Sequence, residues 1–309
     1  MLTLTQLRVL DAIARCGSVT AAAKELHFSQ PSLSHHMARL EKETGARLLQ
    51  RAGRGIRLTP AGHALAVRAG EILGRVHAAQ AEVTSIVELT AGTVRVAGFA
   101  SAMSTLMPRA GRELAGHHPG LRLSLLDAHP DEALQHLRTG EVDVAIIFRY
   151  DDSRPEDDAV RLVHLLDDPL YLLSLEPGTT VADHRESAWI AGCPRCRTHL
   201  LDLCARAGYA PRLTSFTDDN VLMQSMVAAG VGVTTIPGLA LQAHHHPAVH
   251  ATVLPTDPRR IYAATYGGPP DPPAVQAVLA ALHRTAAHVR GATSTGAGGS
   301  GAVEAPGTE

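Results

Sequence analysis

The chain has 309 residues, 45% of them hydrophobic and 19% charged, with a formal net charge of −2. That is material for two or three domains with proper cores, and it is too apolar for a disordered chain. No apolar run reaches membrane-span length and no basic stretch leads into an apolar one at the N-terminus, so the sequence predicts a cytoplasmic protein with no membrane association.

Charge is unevenly placed. Residues 1–60 hold nine Lys/Arg against four Asp/Glu, a net of +5, and the remainder carries −7. Thr3 and Gln6 have the spacing of a capping box that opens a first helix, with Leu4, Leu7, Leu10, Ile13 and Ala14 as its buried side. Val19, Ala23 and Leu26 mark a second short helix, and His27-Phe28 is a tight connection to a third. There Ser29 is the N-cap, Pro31 lies in the first turn and Gly45 ends the helix. Leu33, Met37 and Leu40 form its apolar stripe. Pro31, His35, Ala38, Arg39 and Lys42 stand opposite, with Gln30, Ser32 and Ser34 beside the N-terminal end. Leu48 to Leu58 reads as a hairpin around Gly53-Arg54-Gly55 carrying Arg51, Arg54 and Arg57. The pattern is a winged helix-turn-helix over 1–60. A helical packing module would share the spacing, but the local positive charge favours contact with phosphate. The expected DNA-binding residues are Thr20, Ser29, Gln30, Pro31, Ser32, Ser34, His35, Arg39, Arg51 and Arg54.

Thr59-Pro60 opens a long helix over 61–90. Leu65, Ala69, Ile72, Val76, Ala79, Val83 and Ile86 are spaced alternately four and three apart, a heptad seam that needs a partner. A second copy of the chain is the expected partner, with Leu65, Ile72, Val76, Val83 and Ile86 at the homodimer contact.

Thr90-Ala91-Gly92 reads as a hinge. From there strands and helices alternate through 91–290: strands at 93–97, 121–125, 142–147, 168–175, 188–191, 213–216, 231–236 and 260–265, and helices at 102–115, 131–138, 197–207, 220–229 and 273–289. This order predicts a largely parallel sheet covered on both faces. Asp151 to Asp158 and Pro255-Thr256-Asp257-Pro258 read as two crossovers between lobes, lobe I being 91–155 with 259–290 and lobe II 156–258. Residues 291–309, poor in apolar side chains, read as a disordered tail.

Ligands of open α/β lobes sit beyond the carboxyl ends of strands, near helix N-termini. The candidates are Ala100, Ser101 and Ser104 after the first strand, Phe148 and Arg149 at the first crossover, and Gly192, Cys193, Thr217 and Asp218 in the second lobe. Taken singly, Ser101 and Thr217 read as simple helix caps; their convergence on one cleft carries the pocket reading. Cys193-Pro194-Arg195-Cys196, with His199 and Cys204 after it, leaves three readings open: packing around a helix start, thiol redox sensing, or zinc. His244-His245-His246 with His250 reads as a solvated loop. No metal or other cofactor is expected. Neither a nucleotide-binding glycine fingerprint nor a Gly-x-Ser-x-Gly elbow is present, so no catalytic residues are assigned.

Leu4-Thr5-Gln6-Leu7-Arg8-Val9-Leu10, Gly17-Ser18-Val19-Thr20-Ala21-Ala22-Ala23, Ser29-Gln30-Pro31-Ser32-Leu33-Ser34, Gly45-Ala46-Arg47-Leu48-Leu49-Gln50-Arg51 and Leu58-Thr59-Pro60-Ala61-Gly62 follow one another in order. Together they resemble the LysR-type transcriptional regulators. Many members carry Arg where this chain has His35, which changes the group offered to a base there. The resemblance implies a multidomain α+β and α/β chain: a winged helix-turn-helix, a linker helix and a two-lobed, periplasmic-binding-protein-like effector domain. It also implies double-stranded operator DNA, a small-molecule effector and self-association, usually to tetramers, as partners. Two competing classes are weaker. A solute-binding protein with an N-terminal appendage would need export, and an enzyme on the two-lobed fold would need a catalytic motif.

Overall fold

The computed structural model describes residues 1–52, 55–87, 92–150, 159–255 and 258–296. Helix α1 (Leu4–Cys16) opens on the expected capping box: Gln6 N donates to Thr3 Oγ1 at 3.3 Å and Thr3 N donates to Gln6 Oε1 at 2.7 Å. Its apolar face departs from the expected one, since Leu4 and Ala14 are exposed. Val9, Leu10, Ala12 and Ile13 instead form a core with Val19, Ala22 and Ala23 of α2 (Val19–Glu25) and with Leu33, Met37 and Leu40 of α3 (Gln30–Thr44). Leu7 packs on Ala69 and Leu73 of α4 (Pro60–Val87). A helix gripped from two sides buries two adjoining stripes, and a single-stripe reading finds only part of them.

Strands β1 (Leu49–Ala52) and β2 (Gly55–Leu58) pair antiparallel as the expected wing. Glu41 Oε1 accepts the N–H groups of Leu48 at 2.8 Å and Leu49 at 3.1 Å, which ties the wing to α3. Thr59 caps α4, its hydroxyl accepting from Gly62 N at 3.0 Å. A Cβ at Gly62 would stand 2.2 Å from the Leu48 carbonyl oxygen, so the helix can start this close to the wing only without a side chain there.

The seam expected on α4 is partly used inside the chain. Ala69 is buried under α1, and Leu65 is half-buried against the α1–α3 core. Ile72, Ala79 and Val83 are exposed and Val76 is half-buried. The side chain of Ile86 and residues Thr90 and Ala91 of the expected hinge lie outside the described residues, as do Asp151 to Asp158, Thr256 and Asp257.

The C-terminal domain runs β3 (Thr93–Gly98), α5 (Ala100–His117), β4 (Arg122–Asp127), α6 (Pro130–Arg138), β5 (Val144–Arg149) and β6 (Val160–Asp168). It continues through β7 (Leu170–Ser174), β8 (Ala188–Ala191), α7 (Pro194–Arg206), β9 (Arg212–Phe216) and α8 (Asn220–Ala228). β10 (Thr234–Pro237), α9 (Gly238–Ala243), β11 (His250–Val253), β12 (Arg259–Tyr266) and α10 (Pro273–Gly296) complete it. Lobe I is a five-stranded sheet in the order β4-β3-β5-β12-β6, parallel between β4, β3 and β5 and antiparallel from β5 through β12 to β6. Lobe II holds an antiparallel sheet β10-β7-β11 and a parallel pair β8-β9, joined by a single bridge between Trp189 and Val233.

Four expectations are corrected here. The sheet is mixed, because the two crossing strands return against the direction of the βαβ units. The lobe boundary at 156 falls before a strand, β6, that pairs with β12 in lobe I; the chain leaves that lobe at Pro169, which cannot continue the ladder. The last helix passes residue 290 and runs to Gly296, so the tail expected from 291 begins inside it, and residues 297–309 lie outside the described ones. His250, read as loop, opens β11.

Where α4 meets lobe I the approach is close. A Cβ on Gly74 would lie 1.9 Å from the carbonyl oxygen of Arg138, the last residue of α6. No helix among the described residues is long and apolar enough to cross a membrane.

Candidate functional site

The first site is the outer face of α3. Its inner stripe, Leu33, Met37 and Leu40, is buried, and this fixes which side chains turn outward. Gln30, Pro31, Ser34, His35 and Arg39 are exposed, Thr20 is exposed on α2, and Ser32 is half-buried. The hydroxyl of Ser29 is engaged as the cap, accepting from Ser32 N at 3.3 Å. Phe28 stacks on His36 at 5.7 Å between ring centroids and packs the connection between α2 and α3. Arg39 is 62% exposed, yet its Nε donates to Glu43 Oε1 at 3.1 Å, so part of its fork is already engaged. That contact also holds the Glu43 carboxyl below its usual range. Arg51 is exposed on β1, and Arg54 at the wing tip lies outside the described residues. Exposed donors on a short-chained helix face, flanked by Lys42, Arg47, Arg51 and Arg57, suit base edges in a major groove and the phosphates beside it.

The second site is a cavity of about 740 Å³ between the lobes. Of the expected residues, Ala100, Ser101, Ser104, Phe148, Gly192, Cys193 and Asp218 line it. Thr217 lines a smaller adjoining recess with Gly192, Cys193 and Asp218, and Thr217 Oγ1 accepts from Asp219 N at 3.2 Å. Arg149 does not line the cavity: its guanidinium sits 5.8 Å from the Tyr262 ring centroid. Neighbours along a strand face opposite sides, so Phe148 and Arg149 could not both enter one pocket.

The cation of the pocket is Arg259, the first residue of β12. It pairs in register with Asp168, the last residue of β6, where the two strands run between the lobes. Arg259 Nε donates to Asp168 Oδ2 at 2.7 Å and Nη2 donates to Ser101 Oγ at 2.7 Å. Its guanidinium lies 4.8 Å from the Phe99 centroid and 4.9 Å from that of Phe148, with side-chain exposure of 3%. Asp168 also accepts from Leu239 N at 2.9 Å; burial pushes this carboxyl up, and Arg259 draws it back. A charge at each crossover, Asp168 and Arg259, was the sequence signal for this pair. Asp127, His129 and Glu132, at the end of β4 and the start of α6, line the pocket too and carry no motif that sequence reasoning could have found.

Two polar contacts bridge the lobes at the rim. His129 Nε2 lies 3.1 Å from Asp218 Oδ2, and Arg195 of α7 reaches Asp131 of α6 while its Nη1 donates to the Phe148 carbonyl at 3.1 Å. Cys193 and Cys196 form a disulfide at the start of α7. Cys204 is buried with its thiol pushed up by burial, and His199 stacks on Tyr150 at 4.0 Å. The four side chains therefore do not converge as a zinc site would require. Among the described residues no group of three or more His, Cys, Asp or Glu is placed to hold a metal. His244 lines the pocket, while His245 Nε2 lies 3.1 Å from the Val249 carbonyl.

Comparison with known proteins follows the same division. The family model for the bacterial regulatory helix-turn-helix protein, lysR family, matches residues 4–63, and that for the LysR substrate binding domain matches residues 88–287. The HTH-type transcriptional regulator TfdS of Cupriavidus pinatubonensis is 29% identical over 245 residues, covering 75% of this chain and 81% of its own. A probable HTH-type regulator of Synechococcus elongatus, LrrA, is 29% identical over 296 residues, covering 94% and 99%. The crystal structure of CbnR in complex with its target DNA aligns with a TM-score of 0.59 at 24% identity over 92% of this chain and 100% of that one. Full-length OxyR from Pseudomonas aeruginosa, a cysteine variant, aligns at 0.63 and 24% identity over 91% and 95%. With the two models matching in tandem over most of its length, the chain belongs to the LysR family of DNA-binding transcriptional regulators, its reading helix at the N-terminus and its effector-binding domain behind.

Proposed function

We propose that this regulator works in the cytoplasm as a self-associated, non-enzymatic DNA reader whose grip on an operator is set by a small molecule held between the lobes. The observation that carries this is the α3 surface: a fully buried inner stripe under an exposed face of Gln30, Ser34, His35 and Arg39, within the first sixty residues, whose net charge is +5 against −7 for the remainder. Gln30 suits bidentate pairing with adenine, and Arg39 and Arg51 suit phosphates. Self-association is supported by Ile72, Ala79 and Val83, exposed along one face of α4 beside the half-buried Val76. It is supported again by exposed Leu125 and Leu126 on the edge strand β4 and by Phe216, Val221 and Leu222 on lobe II; two such patches on one chain allow more than a dimer. Two reading helices then meet successive half-sites, and their affinities multiply.

The chain incubated with the intergenic DNA beside its own gene should shift that DNA in preference to random sequence, with an affinity that falls steeply between two salt concentrations. Gln30→Ala should relax preference at one base pair by about 1–3 kcal/mol, and Arg39→Ala should weaken binding evenly. A chain indifferent to sequence would sink the reading.

A second reading, thiol sensing, is favoured by one observation: Cys193 and Cys196 are paired at the wall of the same cleft. Thiol titration before and after peroxide, with operator affinity measured in parallel, separates it from ligand control. An unchanged affinity across the two states removes it.

A further inference from the structure

The cleft is chemically two-ended. At one end is Arg259. Two of its nitrogens are used, by Asp168 and Ser101, and Nη1 donates to no described residue although the side chain is almost wholly buried and lines the cavity. Beside it α5 starts at Ala100 behind Phe99, which supplies no side-chain cap; Ala102 N donates to the Phe99 carbonyl at 3.0 Å, and the N–H groups of Ala100 and Ser101 meet no described acceptor. The other helices that begin at the cavity are closed or repel an anion. Asp219 caps α8 through Val221 N and Leu222 N, Cys193 Sγ accepts from Cys196 N at α7, Asp168 accepts from Leu239 N at α9, and α6 opens on Pro130 with the carboxylates Asp131 and Glu132 in its first turn. An anion therefore has one place to go.

The opposite end is acidic. Asp127, Glu132, Asp218 and Asp219 line the cavity against the single cation Arg259, whose charge Asp168 already balances. Glu132 and Asp219 are engaged with backbone N–H groups and Asp218 faces His129, while Asp127 at the end of β4 accepts from no described residue. His129 and His244 complete the titratable lining. A ligand bearing only carboxylates would add negative charge to this wall without a counter-charge. Phe99, Phe148 and Met223 supply an apolar surface along the cavity.

We infer that the effector is a small zwitterion, an amino carboxylate: its carboxylate at Arg259 Nη1 and the α5 N-terminus, its ammonium at Asp127 on the acidic side, its apolar body over Phe99, Phe148 and Met223. This rests on the reading of the cleft as the effector site. The pairing is one charge-assisted contact at each end, and loss of either one weakens binding without altering the rest of the pocket.

The test uses the full chain and two matched sets of probes, the common amino acids and the corresponding acids lacking the α-amino group. Thermal shift selects probes and calorimetric titration measures them. At least one amino acid should bind, with its deaminated partner at least about tenfold weaker, and Asp127→Asn should remove about tenfold from the first and nothing from the second. Deaminated acids that bind as tightly as the amino acids overturn the inference, and so does an Asp127→Asn chain that keeps full preference for the amine. If neither set binds, the inference also falls. The cleft reading is then judged separately, by whether the small-molecule fraction of a cell extract raises the unfolding midpoint of the parent chain and not of Ser104→Trp, which fills the cavity from an exposed lining position. A shift in both chains would place the ligand elsewhere.

Discussion

Two ion pairs of this chain illustrate how surroundings set the worth of a contact. Arg95 and Asp143 meet at 2.8 Å with side chains 37% and 16% exposed, and water shares both. Arg259 and Asp168 meet at 2.7 Å with side chains 3% and 2% exposed. Removing Asp168 as Asp168→Ala strands a buried guanidinium and should cost about 3–5 kcal/mol in denaturant unfolding, whereas Asp143→Ala should cost about 1 kcal/mol. Equal losses would show that water reaches the Arg259 pair. The sequence named Arg149 as the pocket cation, a choice that strand alternation argues against once Phe148 is turned inward. Arg259 was passed over because it sits at the edge of a polar, proline-bearing crossover, and its partner lies 91 positions away. Neither periodicity nor local spacing reports such a pairing. By contrast Ser101, Phe148, Gly192, Cys193 and Asp218 were legible, since strand ends are where ligands meet this class of fold.

At the scale of elements, α4 has two employments. One side, from Ala66 through Ala69 to Leu73, is buried inside the chain, and the neighbouring side exposes Ile72 and Val83. Ile72→Asp with Val83→Asp should turn an oligomer into smaller species by light scattering at micromolar concentration and weaken operator binding more than tenfold, with the unfolding midpoint of the separate chains little changed. Variants that stay assembled would move the contact off this helix. The heptad count identified the helix and its need for a partner, but it merged two interfaces into one seam. α2, α3, the wing and the start of α4 were read closely from the sequence, because caps, a proline and turn glycines mark their boundaries. The effector domain was read in its order of elements and less well in its sheet. β6 went unread, hidden behind a polar segment, and the chain's direction in β12 depends on which sheet a strand joins, a long-range choice that no local pattern carries.

For the whole molecule, the place to look is where α4 rests on α6. Gly74 lies against the Arg138 carbonyl, and any side chain there must push the linker helix off lobe I. Gly74→Ala should lower stability by about 1–3 kcal/mol, while Gly70→Ala, whose added methyl would meet side-chain atoms rather than backbone, Thr139 Cγ2 at 3.3 Å and Asp11 Oδ1 at 3.6 Å, should have a smaller effect. Comparable midpoints for the two variants would mean that the linker helix yields freely. α6 itself is nine residues long, about 13 Å from end to end, and a helix that short does not bend. Its first turn stands in the cleft wall and its last carbonyl touches the stem of the DNA-reading domain. Such a strut has no slack in which to lose a displacement, so a tilt of either tip is delivered at the other, and occupancy of the cleft and the aim of the reading helix become two settings of one lever.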